Sequence, residues 1–213
     1  MSNLPKDLEK TKKFWSKGLG AKFYRKHSGK YFSRMHEYVT AELLSRNPEI
    51  ILDVACGGGD FLHLIHTKVP NVNLFGTDVA PGMVGEAMKK LGDNAKISES
   101  RAIQQPFSDN TFDVVTIMMA FHHFQDKKET LIEIKRILKP NGVLMIFDVV
   151  ARYNLQKKLW NWLEKMTGIR GYVDHYLELD LKRLSEQSGF ANFTSIRIPN
   201  VPKRYHLFVL RKQ

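Results

Sequence analysis

Asp53-Val54-Ala55-Cys56-Gly57-Gly58-Gly59-Asp60 follows the apolar run Ile50 to Val54 without a break and leads straight into a helical pattern. Such a turn brings bare backbone and the N–H groups of a helix start to one place, where a ligand can press against the main chain. His122 and His123 leave a later apolar run, Phe112 to Met118, in the same sense. Histidine exchanges a proton near neutral pH, so either ring suits a general base; packing of the strand-to-helix turn is the other reading. Asp78 ends the run Asn73 to Asp78. Its carboxylate suits paired hydroxyl donors or, alternatively, a cap for the helix starting at Pro81. Asp148 and His175 are further titratable candidates, for which a structural role is the plainer reading. Cys56 reads as a small packed residue of the turn. As the single cysteine it excludes an internal disulfide and a thiolate zinc cluster, and no metal site is read.

The elements that must position these residues follow from the apolar pattern. Strands are expected at 50–54, 73–78, 95–100, 112–118 and 142–150, with helices at about 59–68, 80–91 and 126–138 between them. This alternation implies a parallel sheet covered on both faces, whose ligands lie at the carboxyl edge. Residues 4 to about 46 read as helical through Leu4, Leu8, Trp15 and Leu19, then Tyr31, Met35, Tyr38, Val39 and Leu43. Lys139-Pro140-Asn141-Gly142 is a turn signal. Trp160 to Met166 and Leu179 to Ser188 read as helices, with Gly189 as a C-terminal cap. The strands 193–198 and 205–211 are joined by Pro199 to Pro202, a link short enough only for antiparallel neighbours.

The 213 residues suit one domain. Its expected parts are a basic helical cap (1–48), a ligand-binding core (49–150), a lid and helix (151–190) and a closing hairpin (191–213). No apolar run is long enough to span a bilayer, and the first residues lack the apolar stretch of a secretory signal, so the chain is placed in the cytoplasm. The net charge of +11 is concentrated in residues 1–34, which hold ten basic and two acidic side chains. Such a segment could steer RNA, an acidic substrate or an anionic membrane surface; a solvated basic face is the plainer reading, since no RNA-binding signature accompanies it.

Counting G-x-G-x-x-G from Gly57 puts Leu62 at the third glycine, which disfavours a nicotinamide dehydrogenase. The stretch ILDVACGGGD resembles instead the first motif of class I S-adenosylmethionine-dependent methyltransferases, with Ala55 where the first glycine is usual. LFGTDVAPGMV resembles the segment whose acid bonds the ribose hydroxyls. AIQQPFSDNTFDVV resembles the adenine-facing segment, and LKPNGVLMIFD the entry to strand five. The resemblance covers residues 50 to about 150 and lies closest to the small-molecule, methyltransferase type 11-like branch. It implies a Rossmann-like α/β fold, with a seven-stranded sheet of order 3-2-1-4-5-7-6, strand 7 antiparallel and helices on both faces. It implies S-adenosyl-L-methionine as cofactor, held by Asp53, Ala55, Cys56, Gly57, Gly59, Asp78, Val79, Met83, Ala102, Ile103 and Met118. Arg101 stands where many members carry an acid that bonds the adenine amino group, and a cation cannot accept that bond.

The resemblance further implies methyl transfer to a small-molecule acceptor. Tyr153, Trp160, Trp162, Tyr172 and Tyr176 suggest an aromatic or apolar one, covered by the lid together with the N-terminal helices, although the same rings suit an ordinary core. A quinone-biosynthesis C-methyltransferase ranks behind it, because the residues after strand four lack that branch's glycine and arginine pattern. Met118-Met119-Ala120-Phe121 likewise lacks the Asn/Asp-Pro-Pro-aromatic run of amino-methylating enzymes that act on bases. An RNA methyltransferase and a non-catalytic module binding RNA or protein through the basic N-terminus complete the alternatives. Peripheral membrane contact through the N-terminal helices fits the quinone reading.

Overall fold

The structure, a computed structural model, describes residues 6–16, 33–167, 172–202 and 204–213. Seven strands form one sheet: β1 (Ile50–Val54), β2 (Asn73–Asp78), β3 (Lys96–Glu99), β4 (Phe112–Met118), β5 (Leu138–Val149), β6 (Asn192–Arg197) and β7 (Tyr205–Arg211). Their order is β3-β2-β1-β4-β5-β7-β6, as the resemblance implies. The first five are parallel, and β7 runs antiparallel to both neighbours.

Helices cover both faces because successive side chains of each strand point to opposite sides. Val143, Met145 and Phe147 of β5 pack with the helix over 33–44 (α2), with α3 (Asp60–Lys68) and with α4 (Pro81–Leu91). Leu144 and Ile146 pack instead with α5 (Lys127–Ile137) and α7 (Glu178–Gln187). Both layers bury continuous Val/Ile/Leu runs, as a parallel sheet covered on both sides requires. Two further helices lie outside these layers: α1 (Lys6–Ser16), whose Trp15 packs on Ala80 and Met83, and α6 (Asn154–Thr167). Leu4, Leu19 and Tyr31 lie outside the described residues.

The strand expected to begin at Gly142 begins at Leu138. The turn signal is real, with Asn141 at φ +63°, but it is absorbed as an irregularity inside β5. The pairing with β4 jumps from Phe112↔Leu138 to Val114↔Val143 there. Gly189 adopts φ +79° just past α7, the left-handed position at which a helix commonly stops.

Candidate cofactor and active site

β1 and β4 lie at the centre of the sheet, so the turns that follow them open at its carboxyl edge. One cavity there is lined by Asp53, Ala55, Cys56, Gly57, Asp78, Val79, Met83 and Met118 of the expected cofactor residues. A second is lined by Ala102 and Ile103, and shares Ala55, Val79, His123 and Phe124 with the first. Gly59 lines neither. It is the N-cap of α3 at φ +77°, where a Cβ would come within 2.8 Å of Leu91. Its task is the turn itself.

Asp78 ties the second strand to this turn. One carboxylate oxygen accepts the Gly57 N–H at 2.9 Å and the other the Ala80 N–H at 2.8 Å. Burial raises its pKa and these N–H groups oppose the rise. Two oxygens offer about four acceptor positions, so the carboxylate retains capacity for hydroxyl donors. The N-cap of α4 is Ala80, with Pro81 beside it at the helix start. Asp53 is buried as well and accepts the Thr116 hydroxyl at 2.7 Å. Burial pushes its pKa up to about 7; the Thr116 bond opposes this and the negative Asp78 adds to it. Burial, then the negative Asp53 and Asp78, push the Cys56 thiol up, consistent with a packed group and not a nucleophile.

The two histidines part company. His122 is buried, and its Nδ1 lies 2.6 Å from Asp148 Oδ1. Asp148 also accepts the N–H groups of His122 and Val149 and the Tyr176 hydroxyl, and it is wholly buried. Burial, with the Asp148 charge, raises the Tyr176 pKa. The ring of His175 stacks on His122 at 5.7 Å. His123 instead lines both cavities, with Trp15 of α1 edge-on at 5.9 Å. Its Nδ1 lies 3.0 Å from the Tyr172 carbonyl, which can only accept. Nδ1 therefore bears the hydrogen, and Nε2 bears the lone pair of the neutral ring.

Three features lie beyond the site residues named from the sequence, although a cover by the N-terminal helices is expected there. His36 of α2 lines the first cavity beside Phe61, and burial lowers its pKa to about 4, partly offset by Asp60. Thr11 and Trp15 of α1 close the same cavity from above the turn. Asp126 comes within 3.8 Å of Arg101, and both line the second cavity. An acid thus reaches the segment expected to face the adenine from another element. Of the aromatic residues assigned to the lid, Tyr172 lines the second cavity, Trp160 lies edge-on to His175, Tyr176 is buried, and Tyr153 and Trp162 are exposed.

These residues fit an adenosyl cofactor. A Cβ at Gly57 would meet nothing within 4 Å, so the turn leaves room for a ligand against the backbone. In the second cavity Thr130 Oγ1 is buried with no hydrogen-bond partner among the described residues, a polar atom suited to a bound ring. Residues 52–146 match the family described as Methyltransferase domain. Over these residues the chain is similar to the class I S-adenosylmethionine-dependent methyltransferases, type 11-like. A demethylmenaquinone methyltransferase of Deinococcus radiodurans is 35% identical over 111 residues, 51% of this chain and 46% of the relative. The enzyme of that name from Thermotoga maritima is 34% identical over 118 residues, 55% of this chain and 51% of the relative. The chain thus spans about half the length of the curated relatives it matches. The structure of a SAM-dependent methyltransferase from Thermotoga maritima shares the fold, with a TM-score of 0.72 at 16% identity, covering 94% of this chain and 99% of that one. S-adenosylmethionine is the methyl donor that a methyltransferase domain of this kind implies. No helix among the described residues is long and apolar enough to cross a membrane.

Proposed function

We propose that this methyltransferase acts on a ring carbon of a reduced, quinone-type aromatic acceptor. The observation that carries this reading is the likeness to relatives named demethylmenaquinone methyltransferases. It reverses the ranking drawn from the sequence, which put a general small aromatic acceptor first. The cavity supports it: beyond the cofactor residues its wall holds the apolar Trp15, Phe61, Met119 and Phe124 and two titratable rings, His36 and His123, with the charged Asp60, Glu86 and Lys90 also lining it.

The cofactor's sulfonium supplies an activated methyl group, so the protein's share is positioning, exclusion of water and management of one proton. Asp78 and the Gly57 turn hold the cofactor end. Trp15, Met118 and Met119 exclude water from the transfer path. His123 Nε2 would accept the acceptor's hydroxyl proton while the ring carbon takes the methyl group that a bound S-adenosylmethionine would supply, leaving S-adenosylhomocysteine. Loss of the ring hydrogen as a proton, with return of the hydroxyl proton, restores the aromatic ring. His122, held by Asp148, fixes the turn from which His123 projects.

The test is incubation with methyl-labelled S-adenosylmethionine and chemically reduced demethylmenaquinone, with the product read by mass spectrometry. Label on a ring carbon supports the reading. Label only on oxygen, or transfer to small phenols but never to the quinol, would place the enzyme in the small-molecule branch instead.

A further inference from the structure

Helix α6 is amphipathic, and its polar side is turned toward the protein. Lys157 pairs with Asp180 of α7 at 2.6 Å. Asn161 uses both ends of its amide on the segment before α7, donating to Asp174 at 2.7 Å and accepting the His175 N–H at 2.7 Å. Leu155, Leu159, Trp162, Leu163 and Met166 recur at helical spacing and share the opposite face. All five are exposed, Leu155 by 80%, Met166 by 68% and Trp162 by 56%, and no residue of the helix is buried. A contiguous row of large apolar side chains in water marks a docking surface.

Charge selects the occupant. The exposed Lys158 and Lys165 flank the row about a quarter turn away. Arg152, Arg197 and Arg204 line a third cavity beside the start of α6, together with Gln156 of that helix. Glu178, which also lines it, lies 3.4 Å from His206. A second copy would bring the same +11 charge and the same lysines to the contact. A bilayer of anionic lipid offers the opposite sign at its surface and an apolar layer beneath.

We infer that α6, with its flanking lysines and the neighbouring arginines, is a docking face for anionic membrane surfaces. Leu155, Leu159, Trp162, Leu163 and Met166 enter the boundary between headgroups and acyl chains, while Lys158, Lys165 and the arginines meet lipid phosphates. The inference rests on α6 and its charges, not on the acceptor proposed above.

The experiment is co-sedimentation of the full chain with vesicles of phosphatidylcholine alone or with added phosphatidylglycerol, at low and at physiological salt. Binding to the anionic vesicles is expected, at least tenfold weaker to the neutral ones and at least tenfold weaker for Leu159→Glu and Trp162→Glu. Both side chains are exposed, so both variants are expected to keep the wild-type melting temperature and S-adenosylhomocysteine affinity. Anionic binding left unchanged by either substitution would trace the membrane contact to other basic residues and overturn the inference. So would absence of binding, or a vesicle-free dimer that either substitution dissociates. Methyl transfer to a water-soluble acceptor is read separately, so failure here and failure of the proposed reaction are distinguishable.

Discussion

His123 Nδ1 lies 3.0 Å from the carbonyl oxygen of Tyr172, whereas the ring of its neighbour His122 is fixed by Asp148 at 2.6 Å. Adjacent residues of one short turn thus face different partners. We expect His123→Gln to lower kcat by roughly 10²–10⁴, the usual range for loss of a general base, with cofactor affinity within about threefold of wild type. Steady-state rates and calorimetry on one preparation check this. A full rate in His123→Gln would show that the acceptor needs no base from this position.

Asp148→Asn has a different expected signature. An amide cannot accept all four donors that meet the carboxylate, so buried N–H or O–H groups lose their partner. Denaturant titration should show a loss of about 3 kcal/mol, with about 1 kcal/mol for Tyr176→Phe, which removes only one donor. Equal, negligible losses in both would contradict the buried network.

Ala55 sits at φ +59°, in the left-handed region. A side chain there costs about 1–2 kcal/mol, against about 0.5–1 kcal/mol for the extra backbone entropy of glycine. Ala55→Gly should therefore raise the melting temperature by up to about 2–4 °C. A fall would mean that the surrounding turn tolerates alanine without strain.

Two buried groups give pH effects of opposite sign. The His36 pKa is lowered in the fold from 6.5 to about 4, so its contribution is present above pH 6.5 and lost as pH falls through about 4. The Asp53 pKa is raised from 3.8 to about 7, so its contribution is present below pH 3.8 and lost as pH rises through about 7. Each window spans on the order of 3–4 kcal/mol. Relative to wild type, His36→Gln should lose less stability between pH 6.5 and 4, and Asp53→Asn less between pH 4 and 7. Unfolding curves at three pH values decide it, and parallel profiles for all three proteins would contradict the assignment.

The parts legible in the sequence are those that one local rule determines. β1, β2, β4 and β7 occupy the expected residues because each is a short apolar run with proline, glycine or polar residues within a few positions on either side. The start of β5 was not legible, since Pro140-Asn141-Gly142 signals a turn wherever it occurs and only the neighbouring β4 shows that the chain stays paired around it. The cofactor turn was read from its small residues, but the left-handed backbone of Ala55 appears only in three dimensions. His36 and the Arg101–Asp126 pair were hidden for the same reason: each reaches the site from an element remote in sequence. Periodicity also marks an apolar row on α6, yet it says nothing of which way that row faces.

The most direct test of the account is calorimetric titration of S-adenosylmethionine and S-adenosylhomocysteine into the wild type and Asp78→Ala. Binding of both in the micromolar range is expected, weakened at least tenfold by the substitution, about 1.4 kcal/mol or more. A correctly folded wild type that binds neither, or an Asp78→Ala variant that binds as tightly as wild type, would contradict the cofactor site described.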